Sequence, residues 1–244
     1  MRNANLKHKS APLSPIRFKE PLFNVPLIIV VLILFCFFIY FISQYFFSDQ
    51  SYVKSLTFFS FVPVFFKTEP LVFSYTTVSY SFMHGSLEHV AINMAWLLVF
   101  GSPLAQRCGG LRFVFFWIFT AVISALTYYM FHQNSAVPLV GASGAISGMM
   151  GAIARYGFNP VFLNSNTQNK EKFIPLWSLK KVFSSKTTLT YIGLWFIINF
   201  ITGLFPFLFK GESVSIAWEA HVGGLVSGLL FIGFFDTLWR QSKL

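Results

Sequence analysis

The sequence predicts an all-α polytopic membrane protein, a bundle of six transmembrane helices. Three observations lead there. Of 244 residues, 55% are hydrophobic and only 11% charged, where a soluble domain carries about 25% charged residues. With 33 phenylalanines the chain cannot cover itself with a polar surface, and it is too aromatic for a disordered protein. Six apolar segments approach the length of about 20 residues that a spanning helix needs. Basic residues gather in alternate connections, the pattern of a polytopic membrane chain.

Residues 1–25 are basic (Arg2, Lys7, Lys9, Arg17, Lys19) and contain prolines; they read as a tail before a membrane domain over 26–240. Pro26 to Phe47 is an almost unbroken apolar run. It exceeds a signal-peptide core of about 7–15 residues and no small-residue cleavage site follows, so it is expected as a retained first span. Residues 48–85 are aromatic and too apolar for a solvated loop, while Pro63 and Pro70 argue against one helix. A partly embedded connection is expected. The second span is expected over Leu87–Pro103 with Ser86 as N-cap. The third covers Leu111–Phe131, and the fourth, Gly141–Tyr156, is rich in small residues (GASGAISGMMGAIA). The fifth covers Thr188–Pro206 and the sixth Ser215–Leu238. In the polar 157–187 connection, FIPLWSLKKVF is amphipathic and suits the membrane interface. Cys36 lies in an apolar run and Cys108 in a short loop, with neither metal-ligand spacing nor a disulfide framework. No metal and no cofactor is expected.

Six spans put both termini on one side. Fifteen of the 18 lysines and arginines fall on that side, and only Lys54, Lys67 and Lys210 on the other. Positive residues favour the cytoplasm, so both termini are expected there. This also accounts for the net charge of +10 without a nucleic-acid partner. The starts of spans two, four and six then face the non-cytoplasmic side.

Polar groups inside a membrane call for a functional hypothesis, and they cluster at those three starts: His84, His89 and Asn93; Ser143; and His221. Ser143 lies between Gly141 and Gly144 at a helix start, where free backbone N–H groups can stabilise an oxyanion. The plain alternative is a cap in a packing motif. Gly144, Gly148 and Ala152 on span four match Gly224 and Gly228 on span six, and two such stripes allow close helix contact. His221 could then reach Ser143 as a general base, or simply bond another helix. His89 and Asn93 are four apart and share a helix face. Both can donate hydrogen bonds, to an oxyanion or as interhelical glue. His84 suits ordering the loop before span two.

Other chemistries fail. The two aspartates, Asp49 and Asp236, lie in a loop and at a span end, which leaves no pair for an aspartyl site. No HExxH zinc motif or P-loop is present. A third acid for a catalytic triad is missing: Glu88 stands one position and Glu219 two positions before a histidine, so each points off its face.

In order, HGSLEHVAIN in span two, GASG opening span four and AHVGGLVSG in span six resemble the rhomboid family of intramembrane serine proteases, over about residues 27 to 238. The resemblance implies a Ser-His dyad with Ser143 as nucleophile and His221 as base. It implies an oxyanion hole of His89, Asn93 and the Ser143 N–H, with His84 bracing a loop. It implies cleavage of single-span membrane proteins in the lipid bilayer, and the bacterial core type, in the inner membrane. The oligomeric state stays open. Two features depart from the family pattern. Residues 48 to 80 hold neither Trp nor Arg, where many members carry a Trp-Arg pair. Ser147 stands where many have a tyrosine that stacks on the base. The competing readings are an inactive relative that binds membrane clients, which would lose Ser143 or His221, and a six-span transporter, whose paired repeats are not seen.

Overall fold

The computed structural model describes residues 25–159, 162, 174–204 and 217–236. The 1–25 tail (all but its last residue), much of the 157–187 connection and the expected ends at Pro206, Ser215 and Leu238 lie outside the described residues.

The apolar run after Pro26 forms α1, Leu27–Tyr45. The aromatic connection folds into short helices rather than one, as its prolines require. Ser48 caps α2, Asp49–Phe59, by accepting a hydrogen bond from the Ser51 N–H. The chain turns extended at Ser60, and Pro63 starts α3, Pro63–Thr68, where its missing N–H is no loss. Then come α4, Thr76–Ser79, and a 3-10 turn, Tyr80–Phe82.

Ser86 caps α5, Leu87–Trp96, through the His89 N–H, as the sequence predicts. The span does not stop at Pro103. A π-helical turn, Leu97–Gly101, widens the helix and leads into α6, Ser102–Cys108. Pro103 falls in the first turn of α6, where the absent donor is tolerated. Cys108 is therefore the buried last residue of a helix, not a loop residue. Gly109, at φ +82°, breaks the helix, and α7 runs from Gly110 to His132.

Helix α8, Ser143–Ala154, has 12 residues, fewer than the expected Gly141–Tyr156. Gly141 at φ +116° bounds its start and Gly157 at φ +66° its end. At 1.5 Å per residue it rises about 18 Å, against a hydrocarbon core of about 30 Å. Short α9, Leu179–Ser184, precedes α10, Lys186–Leu204, and α11, Trp218–Phe235. Among the described residues, four helical stretches are long and apolar enough to cross a membrane: α1, Leu87–Cys108, α7 and α11.

The core is the α7–α8–α11 trio, with α11 packed most extensively on α8. Every residue of α8 after Ser143 is buried. At the end remote from Ser143, a polar knot ties the helices. Arg107 pairs with Asp236 at 3.0 Å, and Tyr156 donates to the same carboxylate at 2.8 Å. Outward-facing apolar residues such as Leu34, Phe115, Leu194 and Phe234 form a surface suited to lipid.

Candidate active site

Ser143 is the first residue of α8 and does not cap it; the N-cap is Ala142, which makes no capping bond. Its hydroxyl is thus free for other work, and first-turn N–H groups have no intrahelical acceptor. His221 lies in the first turn of α11, 8% exposed. Its Nε2 is 2.7 Å from Ser143 Oγ. The structure brings together two residues 78 positions apart.

The glycine stripes make this approach possible. A Cβ built on Gly224 would collide with the Gly144 carbonyl oxygen, and one on Gly228 with that of Gly148. Backbone meets backbone at both points. Close packing also takes in glycines off these stripes: Gly151 faces the Leu225 carbonyl, and Gly223 faces Thr127 of α7.

The segment before Ser143 is held by the 48–85 connection. Phe61 and Leu139 exchange two backbone hydrogen bonds, at 3.1 and 2.9 Å. The Gly141 N–H donates to the Tyr80 carbonyl at 3.0 Å, and the Tyr80 hydroxyl donates to the Ala121 carbonyl at 2.9 Å. Trp117 donates its indole N–H to Ser81 Oγ at 3.0 Å. Without a Trp-Arg pair, the connection is anchored by its backbone and by the Tyr80 and Ser81 side chains.

His89 and Asn93 face the same segment from α5. A Cβ on Gly141 would lie 2.7 Å from His89 Nε2 and 3.7 Å from Asn93 Nδ2. Only glycine fits there, by both space and φ. Asn93 Nδ2 is buried and has no hydrogen-bond partner among the described residues, the condition of a donor awaiting an acceptor. His84 accepts a long hydrogen bond, 3.5 Å, from the Ala142 N–H and sits edge-on to His89. Its brace thus reaches the loop before α8, farther than its own loop before span two.

Ser147 turns away: its hydroxyl donates to the Ser143 carbonyl at 2.7 Å. Glu88 is exposed, and Glu219 is 3.0 Å from His132 Nε2, so neither acid serves His221. The partner of His221 Nδ1 is Asn199 Oδ1, at 2.5 Å, from α10. Sequence reasoning missed it. The available signal was a lone amide in the apolar run LWFIINFITG.

An all-α membrane protein with a serine and a histidine in contact at buried helix starts defines the class: a membrane-embedded protein equipped for serine-type hydrolysis. The Rhomboid domain model matches residues 74–236, well over half of the chain. The chain is 25% identical over 167 residues to "Rhomboid protease GlpG" of Haemophilus influenzae, covering 68% of this chain and 72% of that protein. It is 29% identical over 166 residues to "Rhomboid protease GlpG" of Serratia proteamaculans, covering 68% and 49%. It is 28% identical over 160 residues to "RHOMBOID-like protein 6, mitochondrial" of Arabidopsis thaliana, covering 66% and 43%. The match thus spans less than half of the last two proteins. The chain belongs to the rhomboid family of serine-type endopeptidases.

Proposed function

We propose that this protein is an intramembrane serine endopeptidase that cuts single-span membrane proteins with Ser143 and His221. The observation that carries this is the 2.7 Å approach of His221 Nε2 to Ser143 Oγ. His221 takes the hydroxyl proton as Ser143 attacks the scissile carbonyl, then gives it to the leaving amine. Water hydrolyses the resulting acyl-enzyme with His221 again as base. The tetrahedral oxyanion is received by Asn93 Nδ2, His89 and the Ser143 N–H. His84 keeps the preceding loop in register.

A peptide bond in a helix is shielded by its own backbone hydrogen bonds. Substrates must therefore unwind locally, which favours Gly, Ala, Ser or Pro near the scissile bond. In the proposed topology the 26–240 domain spans six times and both termini are cytoplasmic, in a bacterial inner membrane. Ser143 then opens toward the non-cytoplasmic face, and the short α8 sets it below the membrane plane, reached by water from that side.

A serine-reactive fluorophosphonate and a model membrane substrate test the reading. Wild type and Ser147→Ala should be labelled, with Ser147→Ala only weakened in cleavage. Ser143→Ala should be neither labelled nor active, and full cleavage by Ser143→Ala would sink the assignment.

A further inference from the structure

A histidine acts as a base through Nε2 only if its proton sits on Nδ1. Among the described residues neither an acid nor a tyrosine at position 147 sets that state: Glu219 is engaged by His132 and position 147 is serine. The geometry around Asn199 supplies what is missing. Its Nδ2 donates to the Trp195 carbonyl at 2.8 Å, one turn back on α10. That bond decides which end of the amide faces His221. A flipped amide would set its oxygen against the Trp195 carbonyl, acceptor against acceptor. With Nδ2 so occupied, Oδ1 faces His221 Nδ1, and as an acceptor it needs Nδ1 to carry the proton. Nε2 is then the lone-pair nitrogen, and it is the one that meets Ser143 Oγ.

We propose that Asn199 is a positioning residue that holds His221 in the Nδ1–H tautomer and in the orientation that aims Nε2 at Ser143. The inference rests on reading Ser143 and His221 as nucleophile and base, and makes the working unit Ser143–His221–Asn199. An amide suits the location. Leu194, Ile197 and Ile198 around it face outward on α10, and a carboxylate is far costlier than a neutral group in an apolar surrounding. Among the described residues, the ionisable ring that acts on His221 is His89.

The test uses the full-length purified protein in liposomes, with kcat, KM and the pH profile of kcat/KM for a model membrane substrate. Asn199→Ala should lower kcat about 10²-fold, the cost of a misplaced catalytic group, with KM and melting temperature little changed. Asn199→Asp should recover much of that loss. It should also move the acidic limb of the profile to higher pH, because a carboxylate beside the imidazole favours its protonated form. If Asn199→Ala keeps wild-type kcat and profile while Ser143→Ala is dead, the Asn199 role is overturned and the dyad stands. If Ser143→Ala or His221→Ala remains active, the reading beneath it falls instead. Should Asn199→Ala fail to fold, an acidic limb in Asn199→Asp identical to wild type overturns the role by itself.

Discussion

Helix α11 is held on two sides by opposite means. Toward α8 it meets backbone with backbone: Gly224 and Gly228 press on the carbonyls of Gly144 and Gly148, with no side chain between. Toward α10 contact is sparse, the α10 side chains at Leu194, Ile197 and Ile198 face outward, and a Cβ on Gly193 would touch nothing within 4 Å. The first seam sets the distance between Ser143 and His221. The second reaches the same histidine through one amide hydrogen bond. Gly224 and Gly228 set the distance between Ser143 and His221 by steric contact, whereas Gly193 on α10 is a spectator. In a bilayer, where apolar burial gives little drive to helix pairing, such close packing supplies much of the association.

The largest effect should come from Gly224→Ala. One methyl group there lands on the Gly144 carbonyl oxygen, a backbone atom that cannot rotate aside, so the helices must part. A displacement of about 1 Å can lower the rate on the order of 10²-fold. We expect cleavage to fall at least that far, and the melting temperature in detergent to drop, although no catalytic group is removed. A stable, fully active Gly224→Ala protein would show that the seam does not set the dyad distance.

Asn93→Ala leaves both seams intact and removes a donor aimed at the Gly141 segment. Loss of one oxyanion donor typically costs about 10²–10³ in rate. Turnover should drop within that range, less if His89 compensates, with apparent affinity and melting temperature near wild type. A variant that unfolds instead would assign Asn93 to helix packing.

At the bottom of the scale stands Gly193→Ala. A methyl group there meets open space, and alanine exceeds glycine in helix propensity by up to about 1 kcal/mol. Activity should be unchanged and stability equal or slightly higher. A marked loss in thermal unfolding or cleavage assays would mean that α10 is packed as tightly as α8.

Much of the site was legible because its residues obey short-range rules. Ser86 three positions before His89 is a helix start in any context, and the structure uses it as one. Small residues at intervals of four announced the α8–α11 contact, since the helical repeat puts them on one face. Two features resisted. The continuation past Pro103 depends on a π turn, which the residues of the span do not announce. The hold on the loop before Ser143 depends on bonds between Phe61 and Leu139, which carry no side-chain signature.

The identities and spacings in the chain were enough to establish a membrane bundle and to nominate Ser143, His221, His89 and Asn93. Those conclusions rest on composition and helical periodicity, which are local properties. The tertiary structure alone decided that Ser147 points back at its own helix, that Glu219 serves His132, and that the nitrogen of His221 remote from Ser143 meets Asn199. Each of those outcomes depends on how far apart and at what rotation separate helices come to rest. That arrangement follows from packing summed over the whole α7–α8–α11 core, and the residues flanking Asn199 do not encode it.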